Sequence, residues 1–241
     1  MPNQFGRLIA TMNNEITHGI QFADLFPVPF LIDNFGASAK GLNRALINDI
    51  DREMEADPVP ATRSFVSAWQ SRSGLEQKYE SFSKLQRQIE LSAQTYLQHI
   101  KYADASAARC MGLWANYVAG KGGHSGYHIH GSGRVIATGV YYPASLIENG
   151  KSREENLDDF DPASIFAQTG VGGELIVYDP SYAIKRQIVK PQASHYYDGM
   201  KQISPRESLL VIFPQYLPHS VDPLLEDGIE RYSISYTVEK V

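Results

Sequence analysis

Two histidines separated by a single residue are the strongest chemical feature of the sequence. They lie in the stretch GYHIHGSG, where a β-strand would point the side chains of His128 and His130 to the same face. Two neighbouring imidazoles can bind a transition metal. The pair alone is weak support for a site, because about 0.2 such pairs are expected by chance at this histidine content.

A third histidine follows a separate apolar segment. Residues 209–213 (LLVIF) are typical of a buried strand, and a proline-bounded turn leads from them to His219. In a jelly roll, such a strand and turn would bring His219 to the mouth occupied by the first two histidines. The spacing therefore predicts a third ligand for the same metal.

An arginine and a hydroxyl lie farther along, in the predicted strand ERYSISY. Arg231 and Ser233 are two residues apart and would share one face of that strand. Together they can bind a carboxylate through the charge-assisted fork of the guanidinium and one more donor. The alternative is a solvent-facing arginine on an edge strand.

The elements that would position these residues change in character near residue 105. Before it, apolar residues recur at spacings of three and four, which predicts helices over 82–100 and from an N-cap at Ser38 to residue 54. After it, short segments rich in β-branched and aromatic residues alternate with Gly, Pro and Asp. The pattern predicts a sandwich or jelly roll. Its strands would cover residues 109–119, 126–130, 134–142, 173–179, 185–190, 207–213 and 229–238.

Five motifs in this order resemble the Fe(II)- and 2-oxoglutarate-dependent oxygenases, and most closely a bacterial and phage branch with an H-x-H pair. The motifs are LWANY, HIHGSGRVIATGVYYP, GGELIVYDP, FPQYLPHSV and RYSISY. The resemblance implies an α+β, mainly β fold: a double-stranded β-helix, or jelly roll, with N-terminal supporting helices. It also implies an enzyme that hydroxylates a substrate while 2-oxoglutarate is converted to succinate and carbon dioxide.

The resemblance also implies roles for single residues. Fe(II) would be held by His128, His219 and His130. The distal carboxylate of 2-oxoglutarate would be bound by Arg231 and Ser233. Asn116 and Tyr142 match in placement the residues that hydrogen-bond the co-substrate, although Tyr141 or Tyr142 must in any case be part of the core.

His130 departs from the family pattern, which usually has a carboxylate at that position. A triad of two histidines and one carboxylate leaves three positions of an octahedron open for the co-substrates. Three imidazoles leave as many positions open but do not offset the charge of the metal. Glu174, in GGEL, is the alternative third ligand.

Two other classes of function remain open. A cupin also uses H-x-H and a distal histidine, and Gly122 lies where its first motif requires, but that motif asks for a glutamate where Arg134 and Val135 lie. The other alternative is a non-catalytic jelly-roll module that binds a ligand or partner.

Composition limits the partners. With 22 Lys+Arg against 27 Asp+Glu, the net charge of −5 and the lack of a basic cluster argue against nucleic acid. Cys110 is the only cysteine, which excludes intramolecular disulfides and thiolate-rich clusters. No signal peptide or membrane span is recognisable, so we expect a cytoplasmic protein.

We expect one domain over 1–241, with a helical support region over 1–105 and the metal-binding β-helix over 106–241. The substrate would be a small molecule or a peptide. The acidic connection over 144–171 would be either a solvated loop or a lid over the substrate. A homodimer through the outer helices stays open.

Overall fold

Two large antiparallel sheets and two long helices dominate the described part of the chain, which also contains a separate two-stranded hairpin. The structure is a computed structural model. It describes residues 7–10, 18–21, 27–61, 65–102, 104–131, 133–152, 157–182 and 199–240. No helix within these ranges is long and apolar enough to cross a membrane.

The helices lie in the first half of the chain. They are α1 (Lys40–Ala56), the short α2 (Leu75–Lys78) and α3 (Glu80–His99), and the first and third match the predicted helices. The predicted N-cap was wrong. Ser38 belongs to a 3-10 turn over Ala37–Ala39, and its hydroxyl donates to the carbonyl of Phe35 instead of capping α1.

Fifteen strands occur within the described residues. They are β1 (Arg7–Ala10), β2 (His18–Gln21), β3 (Leu31–Asn34), β4 (Phe65–Val66), β5 (Ala68–Gln70), β6 (Ala108–Ala119), β7 (His124–His128), β8 (Val135–Tyr141), β9 (Ile147–Glu148), β10 (Lys151–Ser152), β11 (Leu175–Tyr178), β12 (Met200–Ile203), β13 (Leu209–Pro214), β14 (His219–Val221) and β15 (Ile229–Lys240). The strand predicted over 185–190 lies outside the described residues. The other six predicted strands correspond to β6, β7, β8, β11, β13 and β15.

The strands form two sheets that enclose the site, and β1 and β2 pair as a separate hairpin. Among the described residues, the large sheet has the order β10-β9-β15-β8-β13-β3, with β6 pairing with β15 and with β5. The small sheet has the order β12-β11-β14-β7-β4. Every pairing is antiparallel. This confirms the predicted α+β, mainly β architecture.

The large sheet is covered on both faces, which explains the continuous apolar run of β13. Leu210 and Ile212 pack in the cluster formed with α1 and α3, whereas Leu209, Val211 and Phe213 pack between the two sheets. A strand buried on both faces needs no alternation of apolar and polar residues. The helices therefore support the outer face of the sheet whose inner face carries the site.

Candidate metal centre

His128 and His219 lie directly opposite each other in the small sheet. Strands β7 and β14 pair antiparallel with His219 in register with His128, and the two ring centroids are 4.2 Å apart. The pairing is irregular between His219 and Val221, and such bulges re-aim side chains next to functional sites. The predicted approach of the distal histidine to the first pair is present.

His130 completes the cluster from just beyond the end of β7. Its backbone N–H donates to the carbonyl of Gln215, and its Nε2 lies 3.2 Å from Nε2 of His219. The three histidines offer ligand atoms that all lie within 4.8 Å of one another. No other group of three such residues is found in the described part of the chain.

Two of the three imidazoles are oriented by backbone carbonyls. Nδ1 of His128 lies 2.8 Å from the carbonyl oxygen of Gly126, and Nδ1 of His219 lies 2.9 Å from that of Leu217. Because a carbonyl only accepts, each Nδ1 carries the proton and each Nε2 keeps its lone pair. The Nε2 atoms are therefore free to bind a metal.

The cluster fits a single transition-metal ion. Two nitrogens bound at right angles with bonds of about 2.1 Å would lie about 3 Å apart, close to the separation of the Nε2 atoms of His130 and His219. Burial, with a smaller electrostatic effect from the neighbouring His128, lowers the pKa of His130 to about 4 and that of His219 to about 3. Both rings are neutral at neutral pH, as ligation requires.

A cavity of about 220 Å³ lies between the sheets and is lined by all three histidines. Among the described residues, its wall contains Arg231 but no aspartate or glutamate. The lining residues are Gln70, Trp114, Asn116, Ser125, His128, His130, Thr138, Gly139, Val140, Leu175, Phe213, His219, Val221, Arg231, Ser233 and Ser235.

Arg231 is a buried cation without an acidic partner among the described residues. It is 2% exposed, and its three donor contacts are all neutral: Nε to the carbonyl of Gly173 at 2.9 Å, Nη1 to Oγ of Ser233 at 2.7 Å and Nη2 to the hydroxyl of Tyr142 at 3.2 Å. The solvent-facing alternative is wrong. A buried charge that lacks a counter-charge is costly, so the site is suited to receive an anion.

Of the other predicted co-substrate residues, Ser233 and Tyr142 contact Arg231, whereas Asn116 shares the cavity with it. Asn116 lines the cavity; its Nδ2 donates to Ser235, and its Oδ1 accepts from Gln70. Tyr142 is fully buried and contacts the guanidinium, but it is not part of the cavity wall.

Glu174 does not join the histidines. Its Oε1 accepts from the backbone N–H of Thr169 at 2.6 Å and from the hydroxyl of Thr169 at 2.7 Å. It neither lines the cavity nor belongs to the cluster of ligand atoms. The next residue, Leu175, faces the cavity, and Glu174 therefore faces away, since side chains alternate along an extended segment.

The acidic connection over 144–171 is partly buried in its described part, with Ile165 packed in the cluster between the two sheets. Leu157 and Asp158 contact Asn34 and Ala37 at the edge of the large sheet. None of its described residues lines the cavity. The structure therefore gives no support for these residues as a lid.

Gln70 and Trp114 are among the cavity residues that the sequence did not predict. Gln70 reaches the wall because β5 pairs with β6, which no local pattern signals. Trp114 lies two residues before Asn116 on β6, and strand alternation would have placed both on the same face.

A family model described as "Putative 2OG-Fe(II) oxygenase" matches residues 112–237. The matched segment covers more than half of the chain and includes the three histidines and Arg231. The chain belongs to this family of 2-oxoglutarate- and Fe(II)-dependent oxygenases. This membership confirms the predicted enzyme class and its two cofactors, Fe(II) and 2-oxoglutarate, and decides against a cupin.

Several solved structures share the fold at low sequence identity. A prolyl-4-hydroxylase from Pseudomonas putida is 15% identical, with a TM-score of 0.56, covering 89% of this chain and 94% of that one. HygX from Streptomyces hygroscopicus, solved with nickel and 2-oxoglutarate, is 10% identical, with a TM-score of 0.54 and coverages of 89% and 84%. A viral collagen prolyl hydroxylase from Paramecium bursaria Chlorella virus-1, solved with 2-oxoglutarate, is 13% identical, with a TM-score of 0.53 and coverages of 88% and 96%. No protein of curated function matches the oxygenase.

Proposed function

We propose that the oxygenase hydroxylates a C–H bond of its substrate while 2-oxoglutarate is oxidatively decarboxylated to succinate and carbon dioxide. One observation carries the proposal: the buried Arg231, which has no acidic partner among the described residues, shares a cavity with a metal-competent histidine cluster. A dicarboxylate that chelates a metal at one end can bind to the histidine-held metal and to Arg231 at the same time. It supplies two ligand atoms to the metal and a counter-charge to the guanidinium.

In this proposal His128, His130 and His219 hold Fe(II) through Nε2. The carbonyls of Gly126 and Leu217 fix the rings of His128 and His219, so that two ligands are set before the metal binds. When bound, Fe(II) and 2-oxoglutarate supply the oxidising chemistry: one atom of dioxygen enters the C–H bond and the other enters succinate, while carbon dioxide leaves. The protein's task is to bind, orient and shield the reactants.

Arg231 anchors the distal carboxylate of the co-substrate. The Gly173 carbonyl, Ser233 and Tyr142 hold its guanidinium at three nitrogens, which fixes the direction of the remaining donor capacity. Ser233 and Asn116 line the cavity and offer further hydrogen bonds to the co-substrate. Leu175, Val221 and Phe213 form apolar wall that excludes water from the space between the sheets.

We further propose that the chain acts as one domain, 1–241. Strands β3 and β5 come from the first 105 residues, yet they pair with β13 and β6 of the second half. The helical support region and the metal-binding core are therefore joined by main-chain hydrogen bonds as well as by packing.

The proposal is tested by supplying Fe(II), 2-oxoglutarate and air, with ascorbate as the reductant in place of a substrate. Proton NMR should show 2-oxoglutarate converted to succinate by the unchanged protein and not by His219→Ala. Absence of both succinate formation and 2-oxoglutarate binding would contradict the proposal.

A further inference from the structure

Trp114 lines the cavity beside the proposed metal ligands and has an indole N–H without an acceptor among the described residues. Its ring lies 6.1 Å from that of His130 between centroids, with the planes at 45°, and both residues line the cavity. Within the described part of the chain, no acceptor contacts its indole N–H. The other tryptophan, Trp69, donates its N–H to the carbonyl of Asp57 at 2.9 Å.

The backbone around Trp114 is built to aim this side chain. Ser235 pairs with Trp114, and Thr237 pairs with Met111, so β6 has one more residue than β15 between these pairs. Gly112 takes the extra position with a φ of +61°, a conformation that glycine adopts without strain. The bulge re-aims the strand directly before Trp114 and sends its indole into the cavity.

His130 offers a second unused donor. When Nε2 binds the metal, the proton of the neutral ring is on Nδ1. The Nδ1 atoms of His128 and His219 have carbonyl partners, but Nδ1 of His130 has none among the described residues. Trp114 and His130 therefore each have an N–H without an acceptor among the described residues, and their rings are neighbours in the cavity wall.

The net charge of the cavity indicates which kind of ligand the N–H groups of Trp114 and His130 would bind. Fe(II) and the 2-oxoglutarate dianion offset each other in charge. The positive charge of Arg231 then stays uncompensated, because no aspartate or glutamate among the described residues lines the wall. A carboxylate at position 130 would have removed that excess. With an imidazole there, the site favours a substrate that brings its own negative charge.

We propose that Nε1 of Trp114 and Nδ1 of His130 together bind a carboxylate of the substrate, which makes the substrate class small carboxylic acids. This inference rests on the proposed function, because it needs His130 on the metal and 2-oxoglutarate on Arg231.

The test uses the full chain, labelled with ¹⁵N and loaded with Zn(II) as a diamagnetic ion and with saturating ¹³C-labelled 2-oxoglutarate. The two tryptophans give two indole N–H signals, and Trp114→Phe assigns them. Benzoate is the probe and benzamide its uncharged counterpart. We expect benzoate to move the Trp114 signal saturably without moving the Trp69 signal or releasing 2-oxoglutarate, and benzamide to bind about tenfold more weakly.

A pair of variants sharpens the test by calorimetry. Trp114→Phe keeps an aromatic ring but loses the N–H, so benzoate should bind about tenfold more weakly. The matched control is Tyr127→Phe, which removes a hydroxyl from a 66% exposed side chain outside the cavity wall and should leave benzoate binding unchanged.

The outcomes separate the two proposals. Failure of Zn(II) or 2-oxoglutarate to bind overturns the proposed function and this inference with it. If both bind, three results overturn the inference alone: a Trp114 signal that benzoate does not move, benzoate that displaces 2-oxoglutarate, or equal binding of benzoate and benzamide.

Discussion

His128 and His219 are paired directly across two antiparallel strands, 91 residues apart in the chain, with ring centroids 4.2 Å apart. The same register that pairs β7 with β14 therefore also places two of the proposed metal ligands. Binding of a metal should hold this strand pair together as well as serve the chemistry.

Removing one histidine of this pair should abolish tight metal binding. Removing a residue that only hydrogen-bonds to a metal ligand weakens metal binding by roughly 10- to 100-fold. We expect His219→Ala to weaken Zn(II) binding by more than this, as measured by calorimetry. The control is His124→Ala, because His124 bonds to the carbonyl of Gly122 and does not line the cavity. Equal losses in both variants would show that His219 is no ligand.

Replacing the unusual third histidine by a carboxylate should change which metal is preferred. Imidazoles suit zinc, copper, iron and nickel, whereas carboxylates suit manganese. In competition experiments, His130→Asp should therefore raise the affinity for Mn(II) relative to Zn(II), whereas His130→Ala should weaken both. An unchanged ratio in His130→Asp would place residue 130 off the metal.

Substitutions of the adjacent tyrosines Tyr141, on β8, and Tyr142, directly after it, should affect different properties. Tyr142 contacts Arg231, so Tyr142→Phe should weaken 2-oxoglutarate binding by about fivefold, the loss of one hydrogen bond of about 1 kcal/mol. Tyr141 faces the other way and bonds to Asn43, so Tyr141→Phe should lower the free energy of unfolding and leave 2-oxoglutarate binding unchanged. The reverse pattern would contradict the proposed anchor.

Gly139 lies where the large sheet has no room for a side chain. A Cβ at this position would lie 2.2 Å from both the hydroxyl of Tyr236 and the carbonyl oxygen of Val211. Gly139→Ala should therefore lower the free energy of unfolding in urea by about 1–3 kcal/mol. The control is Gly41→Ala in α1, where a Cβ meets nothing within 4 Å and should stabilise by up to about 1 kcal/mol. A neutral Gly139→Ala would mean that the sheet relaxes around the new methyl group.

The chemistry of the site was readable from the sequence because it depends on local patterns. Strand alternation placed His128 and Arg231 on strands that the structure contains. The apolar run over 209–213 placed His219 after a turn, and the structure adds that His219 begins a short strand, β14, which the sequence did not predict. Even His130, which lies past the end of β7, joins the cluster, because the chain stays close enough to β14 for its ring to face His219.

Contacts between segments that are distant in the chain could not be predicted from local sequence patterns. The pairing of β3 with β13 and of β5 with β6 joins segments whose registers are decided by tertiary packing. The same packing turns Glu174 away from the metal and brings Gln70 into the wall. The prediction of Ser38 as the N-cap of α1 was wrong because a 3-10 turn precedes the helix. That turn contacts Asp158, and Phe35, two residues before the turn, contacts Ser208, and neither contact can be recognised from the local sequence.

The most direct test of the proposed site is an anaerobic titration of the Fe(II)-loaded protein with 2-oxoglutarate, followed by visible absorption. We expect a weak charge-transfer band that saturates in the unchanged protein and is lost in Arg231→Ala at the same 2-oxoglutarate concentration. A protein that neither binds Fe(II) nor develops the band, or a band that is unaffected by Arg231→Ala, would contradict the site.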